Sequence, residues 1–177
     1  MKLIILDRDG VINADSEHFI KSPDEWHPIP GSPEAIAKLT QAGYRIVVAT
    51  NQSGVGRGLF DMATLNAINT RMHKAVTQAG GRIEAIFYCP EAADSNSPCR
   101  KPNPGMFHAI AERFNISLDH LPAVGDGLRD LQAAEAVGAQ PILVLTGKGE
   151  WTRSEGKLPQ ATRIFADLAA VARDLCA

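Results

Sequence analysis

Cysteine is scarce in this chain: Cys89, Cys99 and Cys176 are the only three in 177 residues. So small and odd a set is not a disulfide framework, and it points to a reducing, cytoplasmic setting. No apolar run approaches the ~20 residues of a membrane span. Met1-Lys2 leads directly into a strand-like run, so no signal peptide is expected. Neither sign of charge dominates. With 18 basic and 20 acidic residues the net charge is −2, so broad attraction to nucleic acid or to an anionic membrane is not expected. The histidines, His18, His27, His73, His108 and His120, lack metal-ligand spacing; only His18 and His27 lie in a loop where they could touch a ligand. There is no repeat, low-complexity tract or linker, so residues 1–177 are expected to form one domain.

What is present is an alternation of apolar runs and helical patterns. "KLIILD", "YRIVVATN", "IEAIFYCP", "LPAVGD", "QPILVLTG" and a short "ATRIF" read as strands. "SPEAIAKLTQAG", "DMATLNAINTRMHKAVTQAGG", "PGMFHAIAERFN", "LRDLQAAEAVGA" and "ADLAAVARDLCA" read as helices. The strands are apolar without alternation, as in a sheet covered on both faces. The expected fold is therefore α/β: a three-layer, Rossmann-like, doubly wound and mostly parallel sheet. "CPEAADSNSPCRKPNPG" reads as a long surface loop.

In such sheets the ligand site lies beyond the carboxyl ends of the strands. The first strand ends in Asp7 and Asp9, the second in Thr50, Asn51, Gln52 and Ser53, and the fourth in Gly125 and Asp126, with Asp130 one turn on. Arg100 and Lys101 precede the third long helix. Each fragment alone is an ordinary turn or helix cap, but a parallel sheet brings them to one crevice. Converging acids need a cation, a shared proton, or both. Hard carboxylate oxygens on Asp7 and Asp126 suit Mg²⁺. Lys101 and backbone N–H groups around Asp9, Gly10 and Asn51 suit a phosphate. Asp7 and Asp9, two apart on a strand, point the same way.

The stretches "DRDGVIN", "ATNQSG", "RKPNPGM" and "VGDGLRD" resemble, in order, the four motifs of the haloacid dehalogenase-like phosphatases, closest to the histidinol-phosphate and heptose-bisphosphate phosphatase branch. The resemblance implies that Asp7 is a nucleophile forming an aspartyl-phosphate and that Asp9 is the acid and then the base. It implies Mg²⁺ held by Asp7, Asp126 and the Asp9 carbonyl. It also implies that Thr50 and the Asn51 amide hold phosphoryl oxygens, with Lys101 neutralising charge. Gly10 allows the sharp turn, and Asp130 orients Lys101 or a metal-bound water.

"NQSGVGRGLF" is similar to the heptose-bisphosphate members of the branch. That implies removal of the 7-phosphate of D-glycero-D-manno-heptose 1,7-bisphosphate, a step toward lipopolysaccharide-core heptose. Gln52 and Ser53 would then belong to the substrate site, and Arg57 and Arg100 could hold the phosphate that is not cleaved. The segments from Asp15 to Gly31 and from Gly54 to Asp61 are too short for a large cap domain, so the expected enzyme has an open site; it is also expected to be monomeric. Members of this branch often carry a structural zinc on Cys-x-His and Cys-x-Cys. Here those positions are Cys89, Glu91, Ser97 and Cys99, which leaves a partial site and makes zinc doubtful. Two alternatives stand beside this expectation. One is a histidinol-phosphate phosphatase. The other is a phospho-accepting receiver module, which would have no use for an acid at Asp9.

Overall fold

In β1 (Lys2–Leu6), Leu3 and Ile5 face one side of the sheet while Ile4 and Leu6 face the other, and all four are buried. A strand apolar on both faces has to lie inside a sheet with helices above and below. A computed structural model describes residues 1–177 and has this arrangement. β1 lies between β2 (Tyr44–Asn51) and β4 (Pro122–Gly125). Outside them run β3 (Ile83–Cys89), β5 (Gln140–Val144) and β6 (Arg163–Phe165), in the order β3-β2-β1-β4-β5-β6. The expectation of a mostly parallel sheet is exceeded: every strand pair is parallel.

The helices divide between the two faces. On one, Ile4, Leu6, Ile46, Val48, Val124 and Val144 meet α1 (Ser32–Gln41), α3 (Met62–Gln78) and α7 (Leu168–Leu175). On the other, Leu3, Ile5, Val47, Ala49 and Ala123 meet α4 (Gly105–Phe114) and α5 (Leu128–Ala136). α3 shows why these segments are helical. Its buried residues Leu65, Ile68, Met72 and Val76 recur at helical spacing, and the Asp61 carboxylate caps its start by accepting the Thr64 N–H at 2.8 Å.

Two short helices escape the sequence reading: α2 (Ser53–Gly56), directly after β2, and α6 (Gly149–Ser154), after β5. No large cap domain interrupts the chain. The loop after β3 folds back on itself, with Gly105 N–H donating to the Pro98 carbonyl at 2.9 Å and Asn103 Nδ2 to the Ser97 carbonyl at 3.0 Å. That fold brings Cys89 and Cys99 together as a disulfide, their Cα atoms 5.6 Å apart. This corrects the reading of the cysteines as unpaired. Counting cysteines weighs compartment and number, but pairing is decided by where the loop returns. With both sulfurs bonded to each other, neither is a thiolate ligand, and the doubtful zinc site on Cys89, Glu91 and Cys99 loses two of its three donors. Cys176 is a free, half-buried thiol.

Candidate active site

Strand order reverses between β1 and β4, where ligands of open parallel sheets bind. Leu6 lies opposite Val124, and the Asp7 N–H extends that ladder to the Val124 carbonyl at 2.9 Å. Asp7 and Asp126 therefore leave neighbouring strands side by side. Carboxylate oxygens of Asp7, Asp126 and Asp130 all lie within 4.8 Å of one another. Gly10, at φ +86°, closes the turn beneath them. A Cβ there would collide with the Asp126 carboxylate, so only glycine fits.

One cation sits inside this cluster. Lys101, 2% exposed, has Nζ 2.6 Å from Asp130 Oδ1 and 3.2 Å from Asp7 Oδ1, and donates to the Ala49 carbonyl at 2.8 Å. Burial alone would lower the Lys101 pKa. The carboxylates of Asp130 and Asp7 outweigh it and raise the value. Burial pushes the Asp7 carboxyl well above its ordinary range, and the charges of Asp130, Asp126 and Asp9 add to this against the pull of Lys101. Burial, then Asp130, raises Asp126 to about 7. The cluster holds more negative charge than one lysine balances, which is the electrostatic condition for a bound divalent cation. The donor set agrees. Asp130 spends Oδ1 on Lys101 and Oδ2 on the Gly127 N–H at 3.1 Å. Asp7 receives Arg8 N–H and Lys101 on Oδ1, and Asp126 receives Lys148 N–H at 2.9 Å on Oδ2. The other oxygen of Asp7 and of Asp126 accepts nothing from the protein. Hard oxygens free in this way fit Mg²⁺.

Asp7, Asp9, Thr50, Asn51, Ser53, Arg57, Arg100, Lys101, Asp126 and Asp130 line one cleft of about 730 Å³. Arg129, Lys148, Trp151 and Thr152 line it too. Arg100 is buried, and its pKa is lowered first by burial and then by the like charges of Arg129 and Arg57. Three guanidinium groups thus share one part of the wall.

Comparison with known proteins matches nearly the whole chain. The family model for polynucleotide kinase 3 phosphatase matches residues 2–133, and a HAD-hydrolase-like model matches residues 98–171. The D-glycero-beta-D-manno-heptose-1,7-bisphosphate 7-phosphatase of Bordetella bronchiseptica is 59% identical over 99% of this chain and 98% of its own. The enzyme of the same name from Pseudomonas putida is 55% identical over 99% of each. A crystal structure of D,D-heptose 1,7-bisphosphate phosphatase from B. bronchiseptica, complexed with magnesium and phosphate, superposes with a TM-score of 0.97 at 59% identity, covering 99% of this chain and 98% of that one. The chain belongs to the haloacid dehalogenase-like heptose-1,7-bisphosphate 7-phosphatase family. It is a phosphatase, and a receiver module is excluded. No helix is long and apolar enough to cross a membrane.

Within this family site, several expected residues stand differently from the sequence reading. Gln52 is buried and does not line the cleft; its amide donates to Thr50 Oγ1 at 2.9 Å and lies 3.4 Å from Asp9 Oδ2. The Asn51 side chain holds the Lys101 backbone, accepting its N–H at 3.0 Å and donating to its carbonyl at 3.1 Å, a task separate from the backbone N–H expected to face phosphate. Gly10 N–H is taken by the Asn13 carbonyl at 2.7 Å, whereas Asp9 N–H meets no protein acceptor. His18 and His27 are exposed and outside the cleft lining. Sequence reasoning missed Arg129 and the α6 residues. Arg129 reads as a surface position of a helix start. α6 carries no apolar period, and its link to the site is tertiary: Thr152 Oγ1 donates to the Asp126 carbonyl at 2.7 Å.

Proposed function

We propose that this enzyme removes the 7-phosphate of D-glycero-D-manno-heptose 1,7-bisphosphate, with Asp7 as nucleophile and Asp9 as acid and base. The observation that carries the substrate reading is the trio Arg57, Arg100 and Arg129, which share a wall of the cleft that holds Asp7. One phosphate would lie over Asp7 while the other is held by guanidinium groups, whose planar forks suit phosphate oxygens.

In this scheme an oxygen of Asp7 attacks phosphorus as the bond to the sugar oxygen breaks. Asp9 gives its proton to that leaving oxygen. Water then attacks the phosphorus of the aspartyl-phosphate. Asp9 takes the water's proton, which frees phosphate and restores Asp7. Lys101, Thr50 and the free Asp9 N–H stabilise the phosphoryl oxygens in both steps. Asp130 holds Lys101 in place through its 2.6 Å ion pair. Mg²⁺, held by Asp7, Asp126 and the Asp9 carbonyl, would neutralise the charge between nucleophile and phosphate. We infer in addition a single domain acting as a monomer on the route to lipopolysaccharide-core heptose; light scattering checks the monomer, and the Cys89–Cys99 bond removes the cysteine ground for a reducing, cytoplasmic setting.

The test compares kcat/KM for the 1,7-bisphosphate, the heptose 7-monophosphate and histidinol phosphate. The bisphosphate should be hydrolysed best, and Arg100→Ala or Arg129→Ala should reduce its kcat/KM about tenfold or more while sparing the monophosphate. A preference for histidinol phosphate would overturn the assignment.

A further inference from the structure

Arg8 stands between the two site acids and points away from the cleft into the core, where it is 0% exposed. Its Nε donates to Asp9 Oδ1 at 2.8 Å. Nη1 and Nη2 are buried and meet no hydrogen-bond partner in the protein, so Asp9 is the only counter-charge Arg8 has. Burying a cation in this way costs free energy that an apolar side chain would not. Core packing therefore does not explain arginine here.

A second buried group grips the same oxygen. Asn13, 0% exposed, donates Nδ2–H to Asp9 Oδ1 at 3.0 Å and its other amide hydrogen to the Ala14 carbonyl at 3.0 Å. Two acceptors on one side fix which end of the amide is nitrogen. The turn locks both residues, with Ile12 N–H donating to the Arg8 carbonyl at 2.8 Å and Gly10 N–H to the Asn13 carbonyl at 2.7 Å. Oδ1 thus has both lone pairs engaged. Oδ2 has only the Gln52 amide, at 3.4 Å, longer than ordinary N–H···O bonds. The Asp9 side chain keeps 24% exposure and lines the cleft, while both groups holding Oδ1 lie behind it.

We propose that Arg8 and Asn13 are positioning residues that clamp Asp9 Oδ1, so that Oδ2 is the oxygen that passes the proton to the leaving sugar and later takes it from water. This rests on the reading of Asp9 as acid and base given above. Without the clamp Asp9 turns about its side-chain bonds, and proton delivery suffers while phosphate binding and Asp7 attack do not.

The readout is leaving-group selectivity in single-turnover, rapid-quench measurement of phosphoenzyme formation. Attack on heptose 1,7-bisphosphate expels the C7 alkoxide of heptose 1-phosphate, which needs a proton; attack on p-nitrophenyl phosphate expels p-nitrophenolate, which does not. Arg8 variants lose a buried ion pair and risk misfolding, so Asn13→Ala carries the test, with Arg8→Lys beside it and melting curves as a folding control. Asn13→Ala should slow phosphoenzyme formation from the heptose substrate about tenfold, a fraction of a full acid's contribution, and leave p-nitrophenyl phosphate within about threefold. Equal loss on both substrates, or no loss on either, overturns the proposal. Asp9→Asn separates the two levels. Equal loss on both substrates in Asp9→Asn sinks the acid assignment itself, whereas a selective Asp9→Asn beside an unselective Asn13→Ala sinks the clamp alone.

Discussion

Lys101 is the residue on which the site's electrostatics turn. Its single ammonium group reaches Asp130, Asp7 and the Ala49 carbonyl at once, a tripod that a compact point charge makes and a planar guanidinium does not. Lys101→Met is expected to lower kcat by about 10²-fold or more, since one preorganised charge-stabilising donor is lost. Lys101→Arg should not restore it. Steady-state kinetics on both variants check this, and a Lys101→Arg enzyme with near wild-type kcat would contradict it. The place of Lys101 beside the acids was legible from the loop that leads "RKPNPG" into the third long helix; that of Arg8 was not. Between two acids it reads as filler, because nothing in the residue string says that a long cationic side chain turns into the core to hold its neighbour.

At the scale of elements, legibility followed burial. The strands β1, β2 and β5 were evident because both faces are apolar, and α3 because its apolar period and its Asp61 cap agree. α6 was not, because its six residues, "GEWTRS", carry no apolar period and are held by a tertiary bond from Thr152 to Asp126. The Cys89–Cys99 bond was missed for a related reason: it depends on the path of the loop between them. The caps give a prediction that separates stability from function. Asp61→Ala removes the acceptor for Thr64 N–H at an exposed helix start far along the chain from the acidic cluster. It should cost about 1 kcal/mol of stability, which for a chain of this size lowers Tm by roughly 2–4 °C. The value of kcat should not change; a clear fall in kcat would show that α3 couples to the site.

For the whole molecule, the sheet explains why one cation must arrive from outside. Parallel strands deliver Asp7 and Asp126, and the first turn of α5 delivers Asp130, to one point, and Lys101 balances only part of their charge. Asp126 has its folded pKa raised from 3.8 to about 7, and Asp7 is raised as well. A raised folded pKa means that the folded state binds more protons than the unfolded state across that interval. In metal-free protein the stability linked to these protons is full below about pH 4 and is lost as pH rises through about 7. Mg²⁺ binds the ionised carboxylates and offsets the loss. The gap between Tm in Mg²⁺ and Tm in EDTA should therefore widen from pH 5 to pH 8, and a gap that stays constant or narrows would contradict the cluster's charge assignment. EDTA should also abolish turnover. The most direct measurement of the central claim is chemical trapping of the intermediate: acid quench during turnover, borohydride reduction of the acyl phosphate, and mass mapping of the peptides. The account predicts a reduced residue at position 7 alone, absent from Asp7→Asn; a reduced residue elsewhere, or none while turnover proceeds, would contradict it.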